Sequence, residues 1–362
     1  MQYELINKQG VDFLNQNKYE EALSCFKQAL EVEPNFAKAL LNLGFTHHKI
    51  GNLDKAVRAY KKVVNADLTY ALGSDNKIPS VIHFFSQGKV RDAIDLLNIL
   101  IEANPKDALL FNMRGGCFKS IGQIEMAILN YQEALKIDHE YAIPKHMLNS
   151  LIGYSSKEPP KEYVRNLFDD YAERFNDVLV NDLQYNLPFI IKDVVLKLNN
   201  ARSEYKNAID LGCGTGLSGE GLKEISINLT GIDISENMIS KAKKLNFYDS
   251  LIVGDIVERL NSLQDKFDLF VALDVLIYIG DIEAIFNAVH KCSSLDSLFI
   301  FSIEVQETSG FSLLKNARYA HSDEYIMDQA LGFFELVHSQ NLKLRKEGDN
   351  WINGKLYVFR SI

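Results

Sequence analysis

Two hydrophobic rhythms divide the chain. Up to about residue 141, apolar side chains recur at three- and four-residue intervals, the spacing of helices that bury one stripe. After Pro188 there is no further proline, and short apolar runs take over. Segments 208–212, 228–234, 251–256, 267–274 and 297–304 are nearly continuous in apolar residues, as parallel strands covered on both faces are. Between them, 217–225 and 238–245 read as crossover helices. The runs 342–346 and 355–360 predict a closing antiparallel pair around a loop that holds Gly348 and Gly354. An open parallel sheet ending in a hairpin is the expected architecture of this half.

The helical half repeats itself. A shift of 34 residues aligns Gly10 with Gly44, Ala22 with Ala56 and Phe26 with Tyr60; the same shift aligns Gly88 with Gly122, Ala93 with Ala127 and Leu97 with Tyr131. The register slips by three residues around 72–74, so the pattern divides into units 3–36, 37–70, 74–107 and 108–141. Each unit reads as two helices, with a small residue where they touch and a large one, Phe26, Tyr60, Leu97 or Tyr131, filling the seam. The third unit departs from this, with Val81 in the glycine position. Pro34 and Pro105 end units, and Gly51, Gly88 and Gly122 fall in the turns within them. This pattern resembles the tetratricopeptide repeat, which implies a concave groove suited to a peptide or a partner's helix, or to self-association. His47 and His48 are adjacent on one helix, point about 100° apart and cannot chelate one ion together. The two prolines ending 155–160 block helix continuation, placing a boundary between a repeat domain, 1–150, and a second domain, 151–362.

Composition narrows the choice of function. The 362 residues carry a formal charge of −9, and residues 1–150 balance 17 Lys and Arg against 17 Asp and Glu, so all the excess acid lies in the second half. Without a dense basic run, nucleic acid is a poor candidate ligand. Neither a long apolar stretch nor a secretory leader is read here, and a cytoplasmic protein with no membrane segment is expected. Cys25, Cys117, Cys213 and Cys292 lie far apart with no CxxC pair; reduced thiols and no metal site are expected.

Candidate chemistry begins where the first strand of the second half runs into Asp210, Gly212, Cys213, Gly214, Thr215 and Gly216. Glycines at such a turn let a ligand approach the backbone, and the next helix points free amides at it. Gly214, Gly216 and Gly219 also satisfy a dinucleotide fingerprint, and an acid ending the second strand, Asp233, suits either reading. Asp255, a third acid at the end of the third strand, separates them. The residues DLGCGTG, GIDIS and GDI, in this order, resemble the class I S-adenosylmethionine-dependent methyltransferases. That resemblance implies a Rossmann-like sheet of seven strands, the terminal one antiparallel. It implies a cofactor site of Asp210, Gly212, Gly214, Gly216, Asp233, Ile234, Met238, Asp255 and Ile256, with Asp233 on both ribose hydroxyls and Asp255 on the adenine amine. Asp274 and Tyr278 would flank the methionine amine and sulfonium.

Two further segments extend the likeness. FDDYAERF, 168–175, with Tyr185 downstream, resembles part of a helical lid, 161–190, in a methyltransferase subgroup with N-terminal repeats; by that likeness Tyr171 packs on the methionine end. ARYAHS, 317–322, resembles a segment that begins with glycine in the subgroup, and Ala317 is expected to lack the left-handed freedom of that glycine. Loops at the strand ends single out Arg318 as an anion clamp, Tyr319 beside it, His321 as general base and Glu304 as a holder of cationic substrate. The expected function is a methyltransferase with S-adenosylmethionine as cofactor and a protein or peptide acceptor placed by the repeats. A small-molecule acceptor, with the repeats used for assembly, and a non-catalytic scaffold are the alternatives.

Overall fold

The protein is described by a computed structural model over residues 2–66, 81, 85, 88–172, 175–176, 179, 183–198, 204–347 and 350–362. Its chain divides into two compact units, Met1–Leu148 and Asn149–Ile362. No described helix is long and apolar enough to cross a membrane.

The first unit is a succession of helix pairs. Gln2–Asn15 packs on Tyr19–Val32, Ala37–Lys49 on Leu53–Ala66, and Ala108–Ser120 on Ile124–Ile137. The seams are those the repeat implies. A Cβ added to Gly10 would lie 2.6 Å from the Phe26 ring; Gly44 meets Tyr60 at 2.6 Å and Gly115 meets Tyr131 at 2.7 Å. Backbones approach this closely only where one helix has no side chain. Ala22, Ala56, Ala93 and Ala127 are wholly buried. Gly51, Gly88 and Gly122 hold left-handed turns, and Asn17 takes that conformation in the first unit. Val81 is buried, whereas the register slip at 72–74 lies outside the described residues.

The second unit is built on one nine-stranded sheet. Its strands are β1 Tyr205–Leu211, β2 Ser226–Asp233, β3 Ser250–Val253, β4 Phe267–Ala272, β5 Ser293–Val305, β6 Phe311–Leu313, β7 Tyr319–His321, β8 Phe334–Glu347 and β9 Asn350–Ser361. β3, β2, β1, β4 and β5 are parallel neighbours in that order. Beyond β5, β9 runs antiparallel and β8 pairs with it. Neighbouring residues serve opposite faces: Ile209, Phe270 and Phe299 join one buried cluster, Ala208, Leu269 and Leu298 the other. Burial on both faces is why these strands lack polar alternation.

Three expectations are corrected. The sheet has nine strands rather than seven, because β5 outlasts β4 and its free edge pairs with β7 of a small β6–β7 hairpin at Glu304 and Val305. The closing hairpin is much longer than 342–346 and 355–360. Gly354 lies within β9, opposite both Leu342 and Glu304, and not in the loop. Ala317 does adopt the left-handed conformation, at φ +68°, so the tight β6–β7 connection imposes it on a residue with a Cβ.

Candidate functional site

A cavity of about 590 Å³ opens at the C-terminal ends of β1, β2 and β4, within the roughly 300–1,000 Å³ of pockets that take small molecules. Its floor is the turn after β1. Gly212, Gly214 and Gly216 take φ values of +73°, +54° and +90°. A Cβ on Gly212 would stand 2.4 Å from Val275, so this position requires glycine for space as well as conformation.

Two buried aspartates brace the turn. Asp233, at the end of β2, accepts the Gly214 amide at 2.8 Å on one oxygen and the Ser235 amide at 2.9 Å on the other. Asp210 accepts the Ser218 hydroxyl at 2.6 Å and the Tyr248 phenol at 2.7 Å. Burial pushes both carboxyls up to about 6, against the pull of those hydrogen bonds. Asp255 caps the helix Ile256–Ser262 through the Glu258 amide and stands 3.3 Å from the Lys161 ammonium.

The helix Lys161–Tyr171 lies over this floor. Asp169 accepts the Ser235 hydroxyl at 2.5 Å, and Thr215 donates to Asn176 at 2.5 Å. Phe168 meets the Tyr278 and Phe175 rings edge-on. The wall at the end of β4 is ionic. Arg345, with no exposed surface, donates to Asp274 at 2.6 Å and to Glu304; Arg318 pairs with Glu347 and lies 5.9 Å from the centre of the Tyr278 ring. Asp274 itself sits at φ +59°.

Of the residues singled out from the sequence, Tyr171, Asp210, Gly212, Gly214, Asp233, Ile234, Asp255, Ile256, Asp274, Tyr278 and Arg318 line this one cavity. Gly216 and Met238 do not: Gly216 closes the turn against the Tyr248 ring, and Met238 is fully buried in the first turn of its helix. His321 and Tyr319 are likewise off the wall. Strand β7 turns both into the interior. The Nε2 of His321 faces the carbonyls of Ile279 and Gly280 at 2.9 and 3.0 Å, and burial lowers its pKa to about 4, so it braces that loop and is not placed as a base. Tyr319 shares a hydrogen bond with Ser156. Glu304 is held by Arg345 and is not presented to a cationic substrate.

Sequence reading missed Arg345, Lys161 and Asp169. Arg345 follows Leu344, and both are buried because a bulge between Lys343 and Arg345 interrupts the alternation of β8. No spacing in the sequence marks such a bulge.

Residues 202–342 match the family model described as a methyltransferase domain; residues 10–51 match a TPR repeat model and 37–70 a tetratricopeptide repeat model. The chain carries a methyltransferase domain behind tetratricopeptide repeats. Nodulation protein S of Sinorhizobium fredii is 34% identical over 104 residues, 28% of this chain and 47% of that protein. A probable UDP-N-acetylglucosamine–peptide N-acetylglucosaminyltransferase SPINDLY of Hordeum vulgare is 29% identical over 138 residues, 38% of this chain and 11% of that one. The chain thus spans less than half the length of these curated relatives. Among solved structures, the N-methyltransferase NodS of Bradyrhizobium japonicum in complex with S-adenosyl-L-homocysteine is similar at a TM-score of 0.44 and 17% identity, covering 55% of this chain and 98% of that one. The magnesium protoporphyrin IX methyltransferase of Synechocystis with bound SAM gives 0.43 and 19%, covering 56% and 97%. All the cavity residues named above from the glycine turn to Arg318 fall inside the matched methyltransferase domain, whereas Tyr171, Lys161 and Arg345 lie outside the match.

Proposed function

We propose that this chain is an S-adenosylmethionine-dependent methyltransferase, with 161–190 as the lid of its domain and a protein or peptide acceptor positioned by the repeats. One observation carries the cofactor reading: the buried Asp233 carboxylate at the end of β2, with the glycine turn on one oxygen and Asp255 farther along the same cavity wall. Each Asp233 oxygen accepts a single backbone amide and keeps a lone pair for one of two vicinal hydroxyls. Asp255 presents an acceptor to an exocyclic amine, competing with Lys161. The bound cofactor supplies an electrophilic methyl on a sulfonium, and the chain aligns the acceptor and excludes water from the path. The repeat units support the protein-acceptor reading, as does the likeness to a transferase named for a peptide acceptor.

Calorimetric titration with S-adenosylmethionine, S-adenosylhomocysteine and NADH tests the cofactor. Binding of the two adenosyl ligands without NADH is the expected result; binding of NADH alone refutes it. Asp233→Ala should weaken the adenosyl ligands by about 1–3 kcal/mol, the cost of leaving buried donors unpaired. Unchanged affinity in a folded variant would remove Asp233 from the site.

A pH series gives an independent check. The hydroxyls require ionised Asp233, whose carboxyl stands at about 6. Affinity should therefore be full above pH 7 and fall as pH drops through 6, with a proton released on binding. Stability runs the other way. A carboxyl raised above its unfolded value of 3.8 makes the folded state bind more protons, so the contributions of Asp210 and Asp233 are present at low pH and lost as pH rises through about 6.

A further inference from the structure

The cavity's end at Asp274 holds two buried hydrogen-bonding atoms that find no partner among the described residues. They are the phenol oxygen of Tyr185, a residue 3% exposed, and the Nε of Arg345. Both residues line the cavity, and Tyr185 belongs to a buried cluster with Leu344, against which Leu273 packs, the neighbours of Arg345 and Asp274. Burial keeps the Tyr185 phenol protonated, and a guanidinium has no acceptor, so the two atoms together ask for a ligand group rich in lone pairs. Arg318 adds a second guanidinium on the same wall.

Among the described residues, that wall offers no free base. Asp274 and Glu304 are bound by Arg345, Glu347 by Arg318, and Asp210 by Ser218 and Tyr248, while His321 faces the Ile279–Gly280 carbonyls. A hydroxyl or an ammonium would have to lose a proton before attacking; a carboxylate arrives with its lone pair ready.

We propose that this end of the cavity binds the methyl acceptor as a carboxylate, with Tyr185 donating to it and the guanidinium groups of Arg345 and Arg318 facing it. The product is a methyl ester. A carboxylate oxygen forms its bond to the methyl carbon as the carbon–sulfur bond breaks, the electron pair goes to sulfur, and no proton moves. The wall's three carboxylates and the acceptor's own face two guanidinium groups and the sulfonium, so recognition rests on the two unpaired donors and not on net charge. The inference rests on the cofactor reading above.

The test uses the full chain saturated with S-adenosylhomocysteine and titrated with matched pairs: benzoate and benzamide, hexanoate and hexanamide, a free and an amidated tetrapeptide. Acids should bind at least roughly tenfold tighter than their amides, and Tyr185→Phe should remove about tenfold of that margin, the scale of one hydrogen bond to a charged group. This variant should melt no lower than the wild type, because it deletes an unpaired buried hydroxyl. With methyl-labelled S-adenosylmethionine, label on an accepted acid should leave as methanol in mild alkali. Equal binding of acids and amides, including none by either, overturns the inference. So does alkali-stable label, or a Tyr185→Phe defect confined to the adenosyl ligand. Failure of S-adenosylhomocysteine itself to bind would refute the cofactor reading instead.

Discussion

Replacing Arg345 by alanine should destabilise the methyltransferase domain by about 3–5 kcal/mol, the scale for abandoning buried charges. The guanidinium has no exposed surface, and it answers two carboxylates on different strand ends, Asp274 after β4 and Glu304 in β5. Without it, the buried Glu304 and the cavity-lining Asp274 both lose their counterion. Denaturant unfolding followed by the fluorescence of Trp351, the only tryptophan of the chain and a β9 residue, measures the loss. The pH dependence identifies the cause. Burial raises the Glu304 carboxyl and Arg345 holds it down, so without the guanidinium the variant's folded state binds extra protons and its deficit should shrink as pH falls from 7 towards 5. A deficit that stays constant with pH, or one below about 1 kcal/mol, would show that the ion pairs contribute nothing beyond side-chain volume. Arg345→Lys should recover only part, since an ammonium cannot present two parallel donors in the plane of a fork.

Gly354→Ala should cost about 3 kcal/mol, at the upper end of the range for added volume in a packed interior. An added methyl would lie 2.1 Å from Leu344 Cδ1 and 2.4 Å from the Ile303 carbonyl oxygen. The leucine tip has room to rotate, but the carbonyl belongs to β5 and can move only with the sheet. This glycine pairs with Leu342 of β8 and Glu304 of β5, beside the bulge that carries Arg345 to Asp274. The expected signature is therefore double: lower stability by the Trp351 signal, and weaker carboxylate binding in whatever fraction stays folded. A variant with wild-type stability would mean that the hairpin bends by some other means.

The parts that were legible beforehand are local in the chain. The seams Gly10–Phe26, Gly44–Tyr60 and Gly115–Tyr131 each join residues 16 apart in sequence, and a periodic pattern exposes them directly. The glycine turn and the acids ending β1 and β2 were equally readable, because a strand followed by a turn and a helix allows few backbone routes. His321 was misplaced for the opposite reason. Its neighbours in sequence say loop, but pairing of β7 with the overhang of β5 draws it inward. Ala317 in the left-handed region belongs to the same small hairpin.

The chain's own order of residues determined a helical repeat, an alternating α/β unit and a glycine turn with acids at the strand ends, since these follow from spacings of a few residues and from the two periods of helix and strand. Only the tertiary structure decided that Arg345 reaches Asp274 and that Tyr185 lines the same cavity. Arg345 lies 71 positions from Asp274 and is swung inward by a bulge, and burial of that kind depends on which surfaces close over a residue rather than on the residues beside it.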